Sequence, residues 1–306
     1  MHDRVAKNWN LVQEIRAWLT LSKLFYRAFQ IQRHLGPEWF VINCLLVPSD
    51  ETLSTSDADN SIVFRDMLKA LPAAFLKRSS KNHELSVCLS HLRDLRHIDL
   101  LEPENPRGTK RKSLPVATRI TVRPKLSTAA HRYVRSVLRE WYGPEFSASF
   151  SARHLEIIVL LYEFGKTTFL EAWAKLLNSL VKTSPTSSRA REAFVNSMIG
   201  STEYFVLLFS LWEMSLVGDD DEGYRMDMLL ALHLFTRHIE DTTLQDCADR
   251  LIKHKILEEI PHDDEQTHYR LAQLHLPAFE VFGEKLITFR EAVRVQIENL
   301  PGRASA

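Results

Sequence analysis

Between Pro106 and Leu126, seven of 21 residues are Lys or Arg and none is Asp or Glu. The cations are Arg107, Lys110, Arg111, Lys112, Arg119, Arg123 and Lys125. Cations gathered without opposing carboxylates suit a polyanion. Each phosphate they neutralise releases counterions, and log K falls by about 0.9 per log unit of salt for each one. Yet the whole chain of 306 residues is neutral, with 39 basic and 39 acidic residues.

No catalytic constellation accompanies this stretch. The segment FGKTT at 164–168 resembles the end of a phosphate loop, but Leu160 stands where that motif requires glycine. His254, His262, His268 and His275 surround Asp263 and Asp264, and solvated histidines are expected there rather than a metal site. Cys44, Cys88 and Cys247 form no CxxC pair, which suggests neither a zinc ribbon nor a disulfide framework and fits a reducing cytoplasm. Cys88 falls on an apolar helix face, so it reads as core rather than as a redox switch. No HExxH or GxSxG occurs. The expectation is a binding protein, not an enzyme, with no cofactor and no metal.

The elements that must position the cations can be read from periodicity. A long helix carries Trp9, Val12, Ile15, Leu19, Phe25 and Phe29 and ends at Gly36-Pro37. A short apolar helix follows at 38–47, then a polar loop, then a helix at about 61–76 and another at about 82–97. Extended pieces come next, LLEPEN and the β-branched SLPVATRITVRP, before a helix at about 127–141. GPEFSASFSA reads as a hinge. The longest apolar stretch, Tyr204 to Leu211, is too short for a membrane span of about 20 residues, and the N-terminus has no apolar signal core. A cytoplasmic protein without a membrane is expected.

The second half repeats this order. TEYFVLLFSLW at 202–212 answers PEWFVINCLLV at 37–47, YRMDMLLALHLF at 224–235 answers VFRDMLKALPAAF at 63–75, and ADRLIKHKILEEI at 248–260 answers LRDLRHIDLLEPE at 92–104. Two units follow, 1–145 and 146–306. The first holds 23 basic and 15 acidic residues, the second 16 and 24. A neutral total thus conceals halves of opposite sign.

Helix, turn and helix followed by a hairpin and a closing helix is the order of a winged helix-turn-helix. The stretch LSHLRDLRHIDLLEPENPRGTKRKSLPVATRITVRPKLSTAAHRYV resembles the MarR family of bacterial transcriptional regulators, and ADRLIKHKILEEIPHDDEQTHYRLAQL follows the same course. The family's usual Asp-x-Arg in the wing is missing from both copies, and the loop at 48–60 is long. The fold implied is mainly α with small β-wings, as two tandem winged helix-turn-helix units flanked by long helices.

That resemblance assigns roles. On the helix at 82–97, Leu85, Cys88, Leu89, Leu92 and Leu95 form the core face, while His83, Ser86, Val87, Ser90 and His97 fall opposite with Arg93 at the flank. Such a face would enter the major groove, Ser and His meeting base edges and Val87 a thymine methyl. Arg107, Lys110, Arg111 and Lys112 would stand at the wing tip, Arg119 and Arg123 on its returning strand, and Ser79, Ser80 and Lys81 ahead of the helix. The plain alternative is a solvated helix face and a basic loop. In the second unit the equivalent helix turns Asp246, Asp249 and Lys253 outward and the wing HDDEQTH is acidic, which repels phosphate. The expected function is sequence-specific binding of double-stranded DNA in transcriptional regulation. The second unit would be an intrachain pseudo-dimer partner, or would mediate a homodimer or control. An unidentified small-molecule effector is implied as in relatives. A plasmid-type replication initiator and a winged-helix protein–protein adaptor are the alternatives.

Overall fold

The computed structural model describes residues 2–31, 37–46, 61–70, 81–103, 113–150, 153–217, 223–225, 241–261 and 267–300. Among the described residues the fold is mainly helical with two small antiparallel sheets. Packing divides it into residues 24–163 and a second unit made of 1–23 with 164–306. This division does not coincide with the sequence boundary at 145/146. The first helix, α1 (His2–Phe29), contributes its first part to one unit and its end to the other.

The 24–163 unit continues with α2 (Pro37–Leu46), β1 (Ser61–Val63), α3 (Phe64–Ala70), α4 (Lys81–Asp94), β2 (Ile98–Leu101), β3 (Arg119–Val122), α5 (Pro124–Tyr142), α6 (Pro144–Ser149) and α7 (His154–Phe164). Its sheet has the order β1-β3-β2, with Ile62 and Leu100 opposite Ile120. Ser61–Val63 was expected to be helical and is a strand instead. Three residues are too few to show a period, and only the ladder to β3 selects the extended form. Arg119 extends the pairing, and the backbone N–H groups of Phe64 and Arg65 donate to the carbonyls of Thr118 and Val116. The segment expected to act as a hinge carries a helix. α6 folds against α5, burying Ser147 and Phe150 and placing the Phe146 ring 5.1 Å from Tyr142 and 5.0 Å from Phe150.

The other unit contains α1 up to Lys23, a π-helical turn (Gly165–Phe169), α8 (Leu170–Leu180), α9 (Ser188–Met198), α10 (Thr202–Val217), β4 (Tyr224–Arg225), α11 (Asp241–Lys253), β5 (Leu257–Ile260), β6 (His268–Leu271), a 3-10 turn (Gln273–His275) and α12 (Leu276–Glu298). FGKTT therefore enters a helical turn rather than a phosphate loop. Trp173, Phe205, Phe209, Trp212, Phe279 and Phe282 make an aromatic core, with Phe205 and Phe209 at 4.1 Å and Trp212 and Phe279 at 5.5 Å. The apolar run of α10 is spent on this burial. No single helix among the described residues is long and apolar enough to cross a membrane.

Residues 1–23 are bound into this unit by apolar and ionic contacts. Trp18 stacks on Phe169 at 4.7 Å, and Leu11 and Ile15 are buried. The buried Glu14 carboxylate accepts from the Trp18 indole at 2.8 Å and pairs with Arg290 at 2.7 Å. Arg16 pairs with Glu213 of α10 at 2.6 Å. Gly283 lets α12 approach closely, because a Cβ there would meet the Trp212 ring at 2.5 Å and Leu11 Cδ2 at 2.7 Å.

The two sheets are built alike. The second has the order β4-β6-β5, again first strand, third strand, second strand. α4 and α11 end in the same way: Arg96 (φ 59°) and Lys255 (φ 58°) adopt the left-handed conformation. Their N–H groups donate to Arg93 and Ile252, and the next N–H groups, of His97 and Ile256, donate to Leu92 and Leu251. This is the Schellman closure of a helix. Arg123 N–H then donates to His97 O, as Ala272 N–H does to Ile256 O. Leu92 thus corresponds to Leu251, where sequence pairing matched it with Ala248. The sheets likewise match Ile62, not Val63, with Tyr224.

Two stability outcomes are expected. Gly283→Ala forces the Trp212 and Leu11 side chains apart and costs about 1–3 kcal/mol, read from the denaturant midpoint. His154, buried beside His131 with no partner for either ring nitrogen among the described residues, has its pKa pushed down to about 4, chiefly by burial and further by His131 and Arg135. The unfolded chain takes that proton first, so stability is complete above the unfolded value of 6.5 and falls from there towards pH 4. His154→Phe should flatten this fall by at most about 1.4 kcal/mol per pH unit, measured by denaturation across that window.

Candidate nucleic-acid interface

α4 is amphipathic. Leu85, Cys88, Leu89 and Leu92 are buried, so the core face is the one expected, and Cys88 belongs to it. His83, Val87, His91 and Arg93 are exposed, Val87 by 55%, and Ser90 is half-buried. Ser79 and Ser80, and Arg107, Lys110, Arg111 and Lys112, lie outside the described residues. Lys81 begins the helix.

Two expected face residues belong elsewhere. Ser86 is buried: its hydroxyl donates to Asn82 O and accepts the Leu114 N–H at 2.8 Å. That bond holds the chain returning from the basic stretch against α4, so Ser86 acts as a tether rather than an outward donor. His97 is 1% exposed, and its Nε2 lies 3.1 Å from Phe29 O. It follows the left-handed Arg96, which turns the chain inward, and Ile256 stands at the corresponding place. Burial lowers its pKa.

The cations differ in how far their charge is available. Arg123 forks onto Asp99 across the hairpin, with Nε–Oδ2 at 2.7 Å, and this pairing holds the exposed Asp99 carboxyl below its usual pKa. Arg93 pairs with Asp94 at 3.0 Å. Arg119 is exposed on β3 with no ion-pair partner among the described residues. Arg96 is exposed likewise, and Lys125 donates to Leu95 O at 2.6 Å, where it answers the negative end of α4. Sequence reasoning assigned no role to Arg96 and counted Lys125 only among the cations of the basic stretch. The signal for Arg96 was a basic residue at the helix exit in both halves, here and at Lys255. Exposed Arg side chains beside an antiparallel hairpin and a helix with small, polar outward residues can engage phosphates and base edges.

The corresponding surface of the other unit has the opposite character. Asp246, Asp249 and Lys253 are exposed on α11, as expected, and Gln245 bridges Asp249 and Tyr269 at 2.8 and 2.9 Å. The histidines correct the reading of a solvated cluster. His254, His268 and His275 are buried. His254 stacks on Phe194 at 3.9 Å and meets the Ser184 hydroxyl at 2.9 Å, while His275 Nε2 lies 3.1 Å from Lys255 O. His262 and the acidic tip at 263–265 lie outside the described residues. Among the described residues no group of three or more His, Cys, Asp or Glu could hold a metal ion.

Ser86→Ala should leave α4 helical and loosen the returning strand. The Leu114 amide should then exchange about fivefold faster, as a lost hydrogen bond of about 1 kcal/mol implies, in native-state hydrogen exchange. In comparisons with known families, with curated proteins and with solved structures, nothing matches this chain.

Proposed function

We propose that the chain is a sequence-specific regulator of transcription that binds double-stranded DNA through its basic half. In this reading each half is a winged helix-turn-helix, as the resemblance to MarR regulators implies. One observation carries it. α4, with His83 and Val87 outward, exits through Arg96 into an antiparallel hairpin whose connecting residues hold the densest run of cations in the chain. The helix would enter the major groove, and Arg107, Lys110, Arg111, Lys112 and Arg119 would neutralise phosphates.

The acidic half repeats the helix exit and the sheet order but turns Asp246 and Asp249 outward. This supports a role in association or control rather than in gripping DNA. The same observation favours a second reading, a winged-helix adaptor that binds protein, since Arg93 and Arg123 are already offset by Asp94 and Asp99.

The test is a salt series of binding to the DNA upstream of the protein's own gene. Changing Lys110, Arg111 and Lys112 together to Ala should lower the salt slope by about two to three units. No binding at low salt would overturn the DNA reading in favour of the adaptor, and an unchanged slope would overturn the assignment of the wing to phosphates.

A further inference from the structure

α5 carries a second cationic surface, which begins at Lys125 beside the end of α4. Its buried face is Leu126, Ala129, Ala130, Tyr133, Val134, Val137, Leu138 and Trp141. Lys125, His131, Arg132, Arg135 and Arg139 are exposed on the other side. At 100° per residue these five fall within about 120° of the helix circumference, and Lys125 to Arg139 spans about 21 Å. Glu140 is the lone exposed carboxylate of the helix. Arg132, Arg135 and Arg139 have no ion-pair partner among the described residues.

A solvated helix looks different, and the chain supplies the comparison. α12 follows the third strand of its sheet as α5 does, and its exposed charges are of both signs, some of them paired. Arg294 bonds Glu291 at 2.8 Å, and Glu284 bonds Lys7 at 3.0 Å. On α5, like charges stand three and four residues apart at Arg132, Arg135 and Arg139, an arrangement that destabilises a helix. The dipole favours Arg139 in the last turn but not the mid-helix Arg132 and Arg135. The repulsion also reaches inward, since Arg135 and His131 both help to lower the His154 pKa.

We propose that this stripe is a phosphate-binding surface that follows the backbone of duplex DNA flanking the site met by α4. It rests on the DNA reading above. Three of its four permanent cations are arginines, whose planar forks suit phosphate oxygens better than a point charge does. Lys125 fixes the start of the stripe at the end of α4 through Leu95 O. A row of this length covers about six base-pair steps of 3.4 Å.

The test uses the full chain and a mixed-sequence duplex of about 30 base pairs. Arg132, Arg135 and Arg139 are changed together to Gln, and in parallel to Lys. Fluorescence anisotropy across a salt series is the readout, and circular dichroism melts check the fold. The Gln set should lower the slope by about two to three units, and the Lys set should keep it within about one unit of the wild type. If the Gln set keeps the full slope while the change of Lys110, Arg111 and Lys112 lowers it, the stripe proposal fails and the DNA reading stands. If the stripe set lowers the slope and the wing set does not, the stripe stands and the wing assignment fails. A wild type that binds no duplex overturns both. A Gln set with unchanged DNA binding but altered sedimentation would assign the stripe to an acidic protein surface instead.

Discussion

The unit built from 1–23 and 164–306 depends on the pairing of Glu14 with Arg290. These residues are far apart in sequence, and their contact commits α1 to α12. The energetics are instructive. Glu14 is 1% exposed, and burial raises its pKa although the arginine beside it and the Trp18 indole both act to lower it. Desolvation therefore exceeds the attraction, so the pair adds little net stability. The surrounding Leu11, Ile15, Trp18 and Phe289 supply the favourable burial. The pair instead defines which surface α1 can occupy. Any other docking leaves a charge buried alone, at several kcal/mol. Gly283 adds a steric condition at the same seam, since only a residue without a side chain admits Trp212 and Leu11 together.

Once that seam is closed, both halves of the chain solve one geometric problem in one way. A helix must stop and reverse into a strand within three residues. Arg96 and Lys255 do so at positive φ, a conformation that glycine adopts at less cost. Neither half uses glycine, so each keeps a cationic side chain at the turn and accepts the backbone strain. The scaffold is shared while the electrostatics diverge: β2–β3 leads into Lys and Arg, and β5–β6 into Asp and Glu. Charge is borne by exposed positions that packing does not constrain, so it can change sign without disturbing Leu92, Ile98 and Ile120 or their counterparts Leu251, Leu257 and Tyr269.

Much of this was legible in the sequence, and the limits have physical causes. α2, the core face of α4 and the returning strand at Arg119–Val122 follow from periodicity and β-branching, which are local properties. The outward Asp246 and Asp249 follow from the same rotation. β1 was missed because a three-residue strand has no period of its own. His97 was misplaced because helical rotation was continued past Arg96, where the helix had already ended. Ser86 was misjudged because its partner, the Leu114 N–H, comes from a segment 28 residues away. The repeat was found in order but not in register, since apolar residues recur often enough to permit a slip. The membership of residues 1–23 was the hardest to foresee, because nothing local distinguishes a helix that packs on its own neighbours from one that packs on residues 164–300.

That membership has a consequence for how the chain comes to be folded. At about 5–20 residues per second, the interval between the synthesis of Glu14 and that of Arg290 is roughly 15 to 55 seconds. For that time Glu14 and Leu11 are without α12, although Phe169 and Glu213, which meet Trp18 and Arg16, are made earlier. The rest of the chain is made while its first apolar helix still waits for its last partner. The seam between α1 and α12 is therefore among the last contacts that synthesis allows to form.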